Sequence, residues 1–424
     1  MTWFLLKGLL RDRNRSLFQI LVVTGGVMIT ILIYCWLLGV KDDVVMTNAK
    51  LDTGHVKIMT RAYSEISSQM PNDLSLPGVG ELVADLKETH PRFAWAPRIK
   101  FGGLLDFPDE KGETRAQGPV FGIALDLISP DTKEKERLNL KKALIRGRLP
   151  RSPGEIIVSE QLTQNLGVNP GEAATLISAT ANGGMAIHNF IVVGTVGFGI
   201  SALDRNAMLA HISDVQYALD MDDSAGEILG FFQDMIHNKE GAAKIAAAFN
   251  ASSAKSENEL EPVMITLREQ HGLGAMLDMV AAEIFIIISG LVFVMSIVLW
   301  NTGLMSGLRR YGEMGVRMAI GESKGHVYGT LIYESILIGI VGSIPGTVIG
   351  IGLSYYFQKH GLDISGVMKG ATMLMSNVMR ARVTPAGYFI GLIPGILALL
   401  LGTMIAGIGI FRRQTSQLFK ELET

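Results

Sequence analysis

Cysteine is all but missing: Cys35 is the single one, and it sits inside an apolar run. A disulfide framework or a cysteine-built metal site within one chain is thereby excluded, and cysteine usage reports no compartment. The eight histidines are scattered, without the spacing of a histidine metal site. The phosphate-loop pattern GxxxxGK[ST] is missing; the string GSIPGTVIG lacks the lysine and lies in an apolar run. HExxH is missing as well. These absences leave no catalytic residues, no metal ligands and no nucleotide site to expect in this chain. There is no surplus of charge: 38 basic against 40 acidic residues give a formal net charge of −2, which offers nothing to nucleic acid. Acidic pairs deep in an apolar run are lacking too. Glu283 and Glu334 lie near run ends, which disfavours an ion-coupled carrier.

Four long apolar runs are present, at 17–40, 281–306, 331–357 and 386–411. The first reaches roughly 35 Å as a helix, enough to span a bilayer with some tilt. It is too long for the apolar core of a signal peptide, and the following GVKDD offers no small-residue cleavage site. The expectation is an α-helical membrane protein with four transmembrane helices and a large α/β extracytoplasmic domain, 41–280, between the first and second. Positive charge orients it. Lys7, Arg11, Arg13 and Arg15 lie in segment 1–16, Arg309, Arg310, Arg317 and Lys324 in segment 307–330, and Arg412, Arg413 and Lys420 in the tail 412–424. All three segments fall on one side of a four-span chain, which predicts cytoplasmic N and C termini in the cell inner membrane. Lys359, Lys369, Arg380 and Arg382 in the loop 358–385 argue the other way.

The external domain reads as mixed α/β. GHVKIMT, PVFGIALD, GEIIVS, AATLIS and FIVVGTVGFG are short β-rich runs. GVGELVADLKETH sets Val79, Leu82, Val83 and Leu86 on one helical face. SEQLTQNLG predicts a short helix capped by Ser159 and stopped by Gly167, and KEGAAKIAAAFNASSA a further helix. SPDTKEKERLNLKK, 129–142, reads as an exposed loop or surface helix, and LEPVMITLREQHGLGAMLDMVAAEIF as a helix continuing into the second span.

Segment 307–330 is longer than a connection needs. Leu308, Tyr311, Gly315 and Met318 form an apolar stripe, and Arg309, Glu313 and Arg317 a charged one at spacing of four, which allows Arg–Glu–Arg pairing. Gly321 reads as a helix stop and Ser323 as the next N-cap. Pattern alone leaves two readings, a helix resting among lipid headgroups or one docking on a protein. In the third span, Gly339, Gly342, Gly346 and Gly350 have the small-residue spacing that allows close helix packing. Flexibility with a kink at Pro345 is the alternative.

RRYGEMGVRMAIGESKGHVYGTLIYESILIGIVGSIPGTVIGI resembles the signature of FtsX/MacB-type ABC transporter permeases, a charged R-x-x-E-[IM]-G-x-x-x-A-x-G segment followed by a Gly-rich span. It falls on Arg310, Glu313, Gly315, Ala319, Gly321, Glu334 and the four glycines of the third span. GRLPRSPGEIIVSEQLTQNLGVNPGEAATLIS is similar to the family's periplasmic core domain, and TGHVKI to its lipoprotein-releasing branch. The resemblance implies a permease subunit rather than an enzyme, working with a separate ABC ATPase in two copies and a second permease chain, identical or homologous. ATP would be used by the ATPase, with no cofactor bound here. The implied work is mechanotransmission that releases lipoproteins from the membrane. Export of another envelope substrate, or a non-transporting sensor or scaffold, are the alternatives. With the match, 308–321 becomes the expected coupling helix, its apolar stripe seated in the ATPase.

Overall fold

The computed structural model describes residues 13–235, 238–253, 258–309, 311–363 and 378–412. They fall into two compact units. Of the described residues, one comprises 13–42, 278–309, 311–362 and 378–412, the other 43–235, 238–253, 258–277 and 363.

The first unit holds four helices long and apolar enough to cross a membrane. The first span belongs to helix Arg13–Asn48, the second to Leu273–Arg309 and the third to Lys324–His360. The second helix starts later than the sequence suggested. Pro262–Thr266 is a strand, Leu267–Glu269 a 3₁₀ turn with a Thr266/Glu269 capping box, and His271 and Gly272 break the chain with φ of 47° and 68°. The fourth span is not one regular helix. It runs as Gly387–Ile390, a π-helical stretch Ile393–Ala398, then Leu399–Arg412. Pro394 stands in the widened turn, where its missing N–H leaves the α-helical ladder incomplete. Arg382 pairs with Asp42, and its backbone N–H donates to the Cys35 carbonyl at 2.8 Å.

The second unit is built on ten strands: β1 (Val56–Thr60), β2 (Phe93–Pro108), β3 (Thr114–Leu125), β4 (Leu144–Gly147), β5 (Glu155–Ser159), β6 (Ala173–Ala179), β7 (Met185–Val196), β8 (Ala207–His211), β9 (Glu227–Phe232) and β10 (Pro262–Thr266). Among the described residues they form one sheet in the order β10-β1-β9-β2-β3-β8-β5-β7-β4, with β6 bridging β2 and β7. Helix Val79–Thr89 buries Val79 and Leu86 in the main core. Ser159 caps Glu160–Leu166 by accepting from the Leu162 N–H at 3.2 Å, and Gly167 ends it in the left-handed region.

The segment 129–142, expected as an exposed loop or surface helix, is largely exposed but turns three residues inward. It forms the short helices Glu134–Arg137 and Leu140–Ala143, and Glu134, Arg137 and Leu140 are buried. The charges tolerate this because they meet partners. Arg98, fully buried on β2, donates Nε to Glu134 at 3.0 Å, Arg137 pairs with the same carboxylate, and the Arg137 guanidinium lies 3.8 Å over the Phe231 ring. Burial pulls Arg137 down to about 9, with Arg98 adding to it. Both cations persist at neutral pH, so Glu134 is what makes their burial tolerable.

A second buried network lies beside it. Lys57 of β1, 1% exposed, pairs with Glu227 of β9 at 2.7 Å and with Asp52 at 3.3 Å. Lys100 of β2 pairs with Glu227 at 2.9 Å and also with Asp52. Asp52 belongs to the π turn Ala49–Thr53, whose Leu51 carbonyl accepts from Arg98 at 3.0 Å and whose Thr53 carbonyl accepts from Gln270 at 3.0 Å. Burial pushes the Asp52 carboxyl up, but Lys100 and Lys57 outweigh it and hold the group well below the usual carboxylate range. A depressed pKa stabilises the fold above the unfolded value, about 3.9, and that contribution is lost as pH falls below it. Asp52→Asn should therefore cost about 3–5 kcal/mol at neutral pH. Its gap to wild type in unfolding midpoint should narrow progressively in acid, and a gap independent of pH would contradict the ion-pair account.

Candidate coupling segment and helix packing site

Leu308 and Arg309 end the second membrane helix, and Arg310 lies outside the described residues. Tyr311 opens a short helix, Tyr311–Ala319. Its inner face is Met314, 2% exposed, with Gly315 buried and Met318 partly so; the two methionines pack on Val327 and Leu331 of the third membrane helix. The apolar stripe expected to face a partner is therefore partly turned inward, because Gly315 and Met318 share the side of Met314. On the outer side Val316, 39% exposed, and Ile320, 82% exposed, stand one helical turn apart, and Leu308 before them is 40% exposed. Glu313 is also exposed.

The charged stripe is rearranged as well. Arg317 turns to Glu322, not along the helix, with Nε to Oε2 at 2.6 Å and the second nitrogen to Oε1 at 2.7 Å. The reason is the helix end. The Glu322 N–H donates to the Arg317 carbonyl and the Gly321 N–H to the Met318 carbonyl, both at 3.1 Å, with Gly321 at φ 104°. That is a Schellman end, which folds the residue after the glycine back onto the last full turn. The usual apolar contact across it is replaced here by a two-pronged ion pair. Ser323 then caps the third membrane helix, accepting from the His326 N–H at 3.4 Å.

The third-span glycines meet neighbouring helices of the same chain. A Cβ added at Gly342 would lie 2.7 Å from Val23, at Gly346 2.7 Å from the Thr24 carbonyl, and at Gly350 3.2 Å from Ile31, all on the first span. At Gly339 it would lie 3.0 Å from the Gly395 carbonyl of the fourth span. Thr24 Oγ1 also donates to the Gly342 carbonyl at 3.0 Å. Close packing is thus spent within the chain, not on a second copy. Sequence reasoning passed over Gly391 and Gly395, whose spacing of four carries the same signal. With Gly346 they form a slot for Val27, which is fully buried.

Four spans, a large α/β domain after the first and a short helix before the third define a polytopic membrane protein. Residues 285–415 match the FtsX-like permease C-terminal family. Over 282 residues the chain is 24% identical to the lipoprotein-releasing system transmembrane protein LolC of Xylella fastidiosa strain 9a5c, which covers 65% of this chain and 64% of that protein. It thus spans less than two thirds of that relative's length. A shorter match, 29% over 98 residues, is to the macrolide export ATP-binding/permease protein MacB 1/2 of Paracoccus denitrificans, covering 23% of this chain and 14% of that one. The periplasmic region of MacB from Actinobacillus actinomycetemcomitans aligns with a TM-score of 0.36 at 13% identity, over 52% of this chain and 92% of that one. Residues 285–415 thus carry an FtsX-like permease C-terminal domain.

Gly346→Leu should lower the melting temperature of the chain itself in detergent, at about 1–3 kcal/mol or more for overpacking. A loss of dimer without loss of monomer stability would contradict the intrachain packing.

Proposed function

We propose that this chain is the membrane subunit of an ABC transporter that works with a separate ATPase and a second permease chain and releases lipoproteins from the inner membrane. Its termini and the segment 308–321 face the cytoplasm, and the α/β domain lies outside. The observation that carries this reading is the short helix Tyr311–Ala319. It is anchored to the third span by Met314 and locked at its end by Gly321 and the Arg317–Glu322 pair, yet it leaves Val316 and Ile320 uncovered. A helix resting on a partner needs such an outward apolar pair, and a helix that passes motion onward needs such an inward anchor. Leu308, Glu313 and Arg317 are exposed too, while Met318 packs on the third span. The second span, the least enclosed of the four, exposes Phe285, Ile286 and Phe293, apolar surface for a second permease or for lipid. The LolC match supports lipoprotein as the cargo, and the shorter MacB match keeps export of another envelope substrate as the second reading.

Val316→Asp and Ile320→Asp should leave the permease folded in the membrane but lose the ATPase on co-purification, since a desolvated unpaired charge costs several kcal/mol. Normal binding and normal transport by both variants would remove the coupling assignment. Orientation is tested separately by thiol labelling. Lys244→Cys should react with an impermeant reagent in spheroplasts and Ile320→Cys should not, with buried Cys35 as the silent background. The reverse pattern would invert the topology. On depletion, lipoproteins retained in the inner membrane support release as the activity; drug sensitivity without retention supports export instead.

A further inference from the structure

Beside the Lys57–Lys100 network the α/β domain holds a cavity of about 450 Å³. Leu51, Met70, Phe121, Ile123 and Leu203 give it apolar walls. Its polar lining is Asp52, with Lys100 and His271 beside that carboxylate, and Ser67 and Ser68. The volume lies within the ~300–1,000 Å³ of small-molecule sites, which share this pairing of apolar lining with a few convergent polar groups.

The charges decide what such a molecule would carry. The Lys100 ammonium is engaged by two carboxylates, Asp52 and Glu227, and Lys57, buried behind it, is held by the same two. Asp52 divides its oxygens. Oδ1 takes the lysines, and Oδ2 faces His271 Nε2 at 3.7 Å, beyond hydrogen-bond length. The cavity therefore presents an ionised carboxylate oxygen beside cations already paired. An entering anion would meet Asp52 and find no uncommitted lysine. An entering ammonium would meet an acceptor. His271 itself is held at φ 47°, a conformation that costs a non-glycine residue energy and gathers at ligand sites. Its neighbour Gln270 is fixed by a bond to the Thr53 carbonyl.

We propose that this cavity binds a small primary amine carried on an apolar body, the ammonium pairing with Asp52 Oδ2 and the hydrocarbon lying against Phe121, Ile123 and Leu203. The site is independent of the ATPase-coupled reading, since it depends only on groups inside the α/β domain. The test uses the full chain in lipid nanodiscs, with empty nanodiscs subtracted, and three probes of one shape: 4-phenylbutylamine, 4-phenylbutanol and 4-phenylbutyrate. Calorimetry should find the amine bound about tenfold or more tighter than the alcohol, the gain of one charge-assisted hydrogen bond, and the carboxylate weakest. Asp52→Asn should bring the amine down to the level of the alcohol. Ser68→Trp, a substitution at an exposed position that fills the opening without touching the ion pairs, should abolish both. Equal binding of amine and alcohol by the wild type, or amine binding unchanged by Ser68→Trp, would overturn the proposal.

Discussion

Two buried lysines share two carboxylates at the centre of the α/β domain, and the arrangement of the surrounding chain follows from that sharing. A lone buried ammonium would give up its proton or unfold the site, so Lys57 and Lys100 are stable only where Glu227 and Asp52 reach both of them. Glu227 comes from β9, the lysines from its two neighbours β1 and β2, and Asp52 from the π turn that precedes β1. Satisfying four charges therefore ties together the register of three adjacent strands and the position of that turn. The Arg98–Glu134–Arg137 group repeats the device one step away and takes the Leu51 carbonyl as a further acceptor. Such groups contribute little net stability compared with apolar packing of the same volume. Their effect is to penalise every alternative pairing that would leave one charge alone.

In the membrane unit the constraint is different. Lipid tails are as apolar as the helices, so burial from water does not hold spans together and close approach must. Val27 and Val23 of the first span fit against glycines of the third and fourth, and Gly303 and Gly402 do the same between the second and fourth, where an added Cβ would lie 2.8 Å from the Leu399 carbonyl and 2.3 Å from the Trp300 carbonyl. A bundle closed by backbone-to-side-chain contacts is stiff. A push on the short helix Tyr311–Ala319 meets Met314, Val327 and Leu331 first, and the glycine-lined contacts beyond them leave little slack. That stiffness is what a mechanotransmitting reading needs from the third span.

Much of this was legible in the chain itself, and the reasons differ by element. Spans show because about 20 apolar residues have few other uses. The Gly321 stop and the Ser159 and Ser323 caps show because backbone groups at helix ends need local partners. β2 was not legible: FAWAPRIKFGGLLDFP contains two prolines and two glycines, and its pairing on both edges overrides the local signal. The burial of Glu134 and Arg137 within the surface helices of 129–142 was not legible for the opposite reason. These charges look like solvent-facing ones until Arg98, 36 residues before Glu134 in the chain, supplies the counter-charge.

The same division holds at the coupling segment. Helical spacing gave an amphipathic helix, a glycine break and a second helix, all local consequences of side-chain period and backbone freedom. Which face turns inward is not local. Met314 is enclosed because Val327 and Leu331 return past it after the turn at Gly321, and Arg317 leaves the charged stripe because that turn brings Glu322 within reach. Sequence by itself determined where the four apolar spans lie, where Ser159, Gly167, Gly321 and Ser323 cap or stop helices, and which family's signature the chain resembles. Only the tertiary structure decided which glycines meet which spans, which charges are buried and which two apolar residues, Val316 and Ile320, are left facing outward, because each depends on groups that folding alone brings together.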